Sequence, residues 1–108
     1  MKAEFKQKWL EALRGGQYKQ GKNVLRTAQD EFCCLGVLCD VVSPDGWEAD
    51  GSLEGGFLHG DRKGFLSMGV KLATSFPELH EVKLSNMNDE GKSFAEIANW
   101  IEENIPAY

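Results

Sequence analysis

The octapeptide Gly16-Gln17-Tyr18-Lys19-Gln20-Gly21-Lys22-Asn23 fills the first seven positions of the phosphate-loop pattern GxxxxGK[ST]. Chemistry at such a loop needs a strand to deliver it, a helix N-terminus behind it and a final hydroxyl to hold magnesium. In this chain a helical segment precedes the glycines, a strand-like segment follows, and Asn23 has no hydroxyl, so nucleoside triphosphate hydrolysis is not supported. A simpler chemistry survives. Lys19, Lys22 and Arg26 carry positive charge, Gly21 permits close approach to the backbone, and the Tyr18 ring can stack on a base. Asn88 and Asp89, in a turn ahead of the last helix, offer polar groups for a sugar or base edge. Tyr18, Lys19, Lys22, Arg26, Asn88 and Asp89 are therefore the candidate ligand-binding residues. The competing reading of Lys19 and Lys22 is a solvated turn.

A thiol nucleophile is the other chemistry to weigh. Cys33, Cys34 and Cys39 fall within seven residues, and His59 and His80 are the only histidines. Reactive cysteines sit in exposed, electropositive surroundings, whereas these lie in an apolar run that suits buried, inert thiols in a reducing compartment. Adjacent cysteines bridge only with strain, and the spacing is unlike CxxC, so neither a disulfide framework nor a zinc site is expected. No pair of carboxylates is singled out for acid–base work. The sequence thus assigns no catalytic residue, metal or cofactor.

Charge is split along the chain. Residues 1–26 carry seven basic side chains against Glu4 and Glu11, about +5, while the other 82 residues carry five basic and fifteen acidic ones, about −10. A basic segment on an acidic body suits a compact anion and disfavours a long nucleic acid or an acidic membrane. There is no apolar run near 18 residues and no apolar leader behind Met1, which reads as a soluble, cytoplasmic protein.

These residues need a scaffold, and 108 residues suffice for one domain, 1–108. Residues 3–14 read as an amphipathic helix with Phe5, Trp9, Ala12 and Leu13 on one face, ended by Gly15-Gly16. Gln17–Arg26 reads as a loop leading into a short strand over Val24–Thr27. The run Phe32–Val42 reads as a buried helix, with a strand as the alternative because Gly36 and the terminal valines are weak helix formers. Ser43-Pro44-Asp45-Gly46 is a turn. The glycine-dense stretch Trp47–Phe65 reads as small strands or a mobile loop, with Asp50-Gly51 as a hairpin turn. Its aromatics Trp47, Phe57 and Phe65, with Phe76, either contact a partner or close the core, and a small domain favours the latter. Val70–Ser75 reads as a short helix or turn, and Leu79–Leu84 as another strand. Ser93 and Glu96 form a capping box for a helix over 94–104, stopped by Pro106. The expected fold class is α+β: a small single domain with an N-terminal helix, a buried central helix, short antiparallel strands and a C-terminal helix.

The motifs Trp9-Leu10-Glu11-Ala12-Leu13-Arg14, Tyr18-Lys19-Gln20-Gly21-Lys22, Leu25-Arg26, Phe32–Asp40 and Leu84–Phe94, with Ile97-Ala98, resemble a group of small uncharacterised proteins of tailed bacteriophages and prophages. The likeness covers roughly residues 9–42 and 84–103. In that group Leu often stands at the position of Met87 and Asp at that of Asn99. The resemblance implies a viral accessory protein with an anti-defence role in the host cytoplasm and carries over no catalytic residue. Together with the basic arm, it leads to the expectation of a non-enzymatic binding protein that sequesters a small phosphorylated host molecule such as a nucleotide immune signal. Assembly into homo-oligomers would deepen its pocket. The alternative is a protein-binding inhibitor of a host defence or nucleic-acid enzyme, with the acidic body imitating nucleic acid or the aromatic middle entering a cleft.

Overall fold

Helix α1 (Ala3–Arg14) forms where the apolar period required it, and its buried side chains Trp9, Leu10 and Leu13 face the centre of the protein. The computed structural model describes residues 1–108. Gly15 and Gly16 end α1, Gly16 with a φ of +74°. The chain then makes a two-residue strand β1 (Lys19–Gln20), and after a ten-residue excursion β2 (Glu31–Phe32) pairs parallel with it, Lys19 opposite Glu31 and Gln20 opposite Phe32. Val24–Thr27 is not a strand. Only Arg26 makes a bridge, antiparallel to Phe32, because Asn23 turns the chain with a φ of +72° and the backbone of Leu25 is taken up by Lys63 and Cys33.

Helix α2 (Cys34–Val42) is the buried centre. Cys33 caps it, its sulfur accepting the Gly36 amide, and Cys34, Leu35, Val37, Leu38 and Cys39 have almost no solvent contact. Gly36 is required on grounds of space: a Cβ there would lie 1.9 Å from the Leu25 carbonyl oxygen. The helical alternative therefore holds for the run, although Phe32 belongs to β2. Beyond the Ser43–Gly46 turn, β3 (Trp47–Ala49) and β4 (Phe57–His59) form the expected antiparallel hairpin. Its connection, residues 50–56, is longer than the Asp50-Gly51 turn alone and is closed by Asp50 N–H to Gly56 O at 2.9 Å.

Helix α3 (Met68–Thr74) is capped by Ser67 and stopped by Ser75 in the left-handed conformation. The strand expected over Leu79–Leu84 does not form. A 3-10 turn (Glu78–His80) runs straight into helix α4 (Glu81–Asp89), which buries Leu84, Met87 and Asn88 along one side and leaves Leu79 and Val82 outside. Leu84, Met87 and Asn88 share a helical spacing, which places them on one buried side. Asn88 and Asp89 are consequently the last turn of α4. Gly91, φ +98°, ends the helix, with Gly91 N–H on Asn88 O and Lys92 N–H on Met87 O in a Schellman arrangement. Helix α5 (Phe94–Asn104) carries both hydrogen bonds of the Ser93–Glu96 capping box.

The protein is thus α+β, five helices with one parallel and one antiparallel strand pair around a single core of 22 apolar residues. Helix α2 packs against α1, α3 and α4, and α5 closes against α1 and α4. Trp9 ties α1 to the start of α2 through Nε1–H to Cys34 O at 2.9 Å. No helix is long and apolar enough to cross a membrane.

Candidate anion-binding site

Burial divides the basic arm. Lys6 and Arg14 belong to a groove of about 460 Å³ beside α1 and α5, where Arg14 donates to Asn99 Oδ1 at 2.9 Å and to Glu102 Oε2 at 3.3 Å. Lys19, Lys22 and Arg26 lie at the other end of the arm. Successive strand residues point to opposite faces. Lys19, 3.4 Å from Glu31, is therefore on one side of β2, and Arg26, stacked on Phe32, is on the other. Lys22 is exposed and takes part in none of the ion pairs.

The loop bearing the lysines is fixed from inside. Asn88, fully buried, accepts the Cys34 amide at 3.1 Å and the Gln20 side-chain amide at 3.0 Å through Oδ1, and donates through Nδ2 to Gly21 O at 2.7 Å. A backbone N–H on one end and a backbone carbonyl on the other fix which way the amide points. Asp89 accepts the Asn23 amide at 2.9 Å, holding the left-handed residue that turns the loop. These two residues therefore position the basic loop, and Asn88 cannot read a sugar or base edge as the sequence suggested. The signal for this lay in Gly91, which marks the end of a helix through Asn88 rather than a turn.

Tyr18 is likewise engaged. Its hydroxyl donates to Asp40 Oδ2 and its ring stands edge-on to Phe32, with centroids 5.0 Å apart. Burial, reinforced by the bond to Asp40 and that carboxylate's charge, raises the phenol above its ordinary pKa, so it stays a neutral donor. Trp47 Nε1–H donates to the other Asp40 oxygen at 2.9 Å. The Tyr18 hydroxyl is thus already paired, while its ring is only partly buried.

Arg26 is the residue whose surroundings exceed what the sequence foretold. Its guanidinium carbon lies 4.0 Å from the Phe57 ring centre, 5.2 Å from Phe32 and 5.4 Å from Trp47. The charge partner is Asp30, whose Oδ1 receives Nε–H at 2.8 Å and lies 2.7 Å from Nη2. Trp47 packs against the core and, with Phe57, forms the platform for Arg26, whereas Phe76 packs on Trp9 and Phe65 is exposed. Aromatic faces attract a cation and fix the plane of the guanidinium, leaving its hydrogen-bonding edge for an oxyanion.

The cysteines are all unpaired and buried. Burial pushes the Cys33 thiol up to about 11 and raises those of Cys34 and Cys39 as well, which keeps all three protonated and poorly nucleophilic near neutral pH. No group of three His, Cys, Asp or Glu side chains is arranged to hold a metal ion.

The chain is a small α+β protein in which the Arg26 guanidinium lies against three aromatic rings at the surface. Residues 1–55, just over half of the chain, match the family described as Domain of unknown function (DUF8296), and the chain belongs to that family. The matched segment contains Tyr18, Lys19, Lys22 and Arg26 but neither Asn88 nor Asp89. No curated protein and no solved structure matches the chain.

Proposed function

We propose that this is a non-enzymatic binding protein that sequesters a small phosphorylated molecule, with Arg26 as the principal phosphate contact and Lys22 as the second. One observation carries the reading: a guanidinium backed by Phe57, Phe32 and Trp47 has its charge met by a single exposed carboxylate. An arginine held in one plane loses little freedom when it binds phosphate through two parallel hydrogen bonds. The inward clamp on Gly21 and Asn23 adds a lysine-bearing loop whose backbone is already ordered. Lys19, on the other face of β2, attracts the ligand only at longer range. The likeness to phage and prophage proteins supports a nucleotide immune signal of a bacterial host as the ligand and an anti-defence role.

The experiment mixes the purified chain with linear and cyclic nucleotides, assays the free ligand, then heat-denatures the protein and analyses what is released. Ligand that disappears and returns intact is the expected result, with Lys22→Ala weakening retention about three- to fivefold, as for one exposed charge contact. Ligand returned altered would mean catalysis. Ligand that never disappears would move the search to a protein partner. That second reading is favoured by the exposed apolar side chains Met68 and Leu72 of α3, Leu79 of the 3-10 turn and Val82 of α4. Neutralising Asp45, Glu48, Asp50 and Glu54 would abolish activity on that reading and leave it intact on the first.

A further inference from the structure

We propose that Asp30 is the internal occupant of an oxyanion seat on Arg26, and that a phosphate group takes the seat when this carboxylate is displaced or neutralised. The inference rests on the reading of Arg26 as the phosphate contact and adds how that contact is regulated.

Three features of the pair point this way. First, Arg26 is prepared for a two-oxygen ligand and does not have one. Nε and Nη2 converge on the same atom, Asp30 Oδ1, at 2.8 and 2.7 Å, whereas a guanidinium fork is best matched by two oxygens taking parallel bonds. A phosphate supplies those two oxygens at the spacing the fork presents. Second, the occupant is easily displaced. The Asp30 side chain is 63% exposed while that of Arg26 is 21% exposed, so Arg26 is packed by the protein while the carboxylate reaches it from the solvent side. Exposed pairs contribute little, and displacement costs an incoming phosphate less than about a factor of five in affinity.

Third, Asp30 is brought there by its turn. Thr27 accepts the Gln29 and Glu31 amides at its hydroxyl and the Asp30 amide at its carbonyl, and Asp30 adopts a φ of +59°. That conformation is uncommon for a side-chain-bearing residue but accessible to Asp and Asn. The turn thus delivers a carboxylate to Arg26 at the place an external anion would occupy. The other nearby acids are otherwise engaged: Asp40 with Tyr18 and Trp47, and Glu31 with Lys19 across β2.

Asparagine keeps both the side-chain shape and the left-handed preference, so Asp30→Asn isolates the charge. The full-length chain, its Asp30→Asn and Asp30→Gly variants, and a Glu103→Gln control with the same change in net charge on exposed α5 are titrated with inorganic pyrophosphate. Arg26 Nε–H is followed by NMR. Asp30→Asn and Asp30→Gly are expected to bind about three- to fivefold more tightly than the unaltered chain with the Arg26 resonance shifting, and Glu103→Gln to stay within about twofold. Equal or weaker binding by the Asp30 variants, the same gain in Glu103→Gln, or a gain without movement of Arg26 would each overturn the proposal. If nucleotides are sequestered but the Asp30 variants gain nothing, only the role of Asp30 falls. If the Asp30 variants gain pyrophosphate affinity while the unaltered chain retains no nucleotide, the seat stands and the sequestration reading falls.

Discussion

Two short segments present the basic arm, and they are held by opposite means. The loop Gln20–Asn23 is anchored by a side chain from a distant helix, the buried amide of Asn88, whose bonds reach Gln20, Gly21 and Cys34. The turn Thr27–Glu31 is anchored by its own threonine hydroxyl and by an ion pair at the surface. Breaking the first leaves buried donors and acceptors without partners, whereas breaking the second leaves groups that water can reach. The difference separates a part whose geometry is fixed by the core from a part that a ligand can rearrange.

The largest effect is expected where the two segments share a support. Leu25 lies between them, its carbonyl accepts the Cys33 amide, and the Gly36 α-carbon is packed against that carbonyl. Gly36→Ala would place a methyl carbon 1.9 Å from the Leu25 oxygen, and both are backbone-bound in the centre of the protein. Urea unfolding should show a loss of about 4 kcal/mol, at the upper end of overpacking costs, because neither α2 nor the Leu25 backbone can yield separately. Loss of less than 1 kcal/mol would mean that the two segments are not joined at this point.

Asn88→Ala breaks the loop and spares the turn. It removes one acceptor and one donor from a site with no solvent access, leaving Cys34 N–H and Gly21 O unpaired. The expected cost is about 3 kcal/mol, since each abandoned buried group loses on the order of 1–3 kcal/mol. Amide exchange should accelerate at Gly21 and Asn23 before it does at Asp30 and Glu31. Uniform acceleration in both segments would erase the distinction between them.

The same contrast governs how much the sequence disclosed. Helices α1 and α5 were legible to the residue because their apolar periods and end signals, Gly15-Gly16 and the Ser93–Glu96 box, are local. Helix α2 was legible as buried but ambiguous in type, since a continuous apolar run has no period and the reason for Gly36 lies eleven positions away at Leu25. Helix α4 and the 3-10 turn before it were misread because the side chains they turn outward, Leu79 and Val82, are as apolar as Leu84 and Met87, which α4 buries. For the six candidate site residues, sequence proximity and charge cannot say whether a polar group faces in or out. Asn88 faces in, the Tyr18 hydroxyl is taken by Asp40, Lys19 and Arg26 flank β2 on opposite sides, and Asp30, the residue that answers Arg26, carried no signal except an i,i+4 relation outside any helix.

The smallest expected effect tests the turn alone. Thr27→Val retains a β-branched side chain of similar volume and removes the oxygen that accepts the Gln29 and Glu31 amides at 3.2 and 3.1 Å. Gln29 is exposed and Glu31 partly so, which lets water replace what the hydroxyl supplied, and the stability loss should be about 1 kcal/mol or less. The consequence for binding is more informative than the consequence for stability. A looser turn presents the Asp30 carboxylate to Arg26 for less of the time, so pyrophosphate affinity should rise by about twofold, in the same direction as Asp30→Asn but smaller. A fall in affinity would instead mean that the turn itself holds the phosphate. The Thr27 hydroxyl would then belong with Arg26 on the ligand side of the comparison and not with Asp30 on the side that competes.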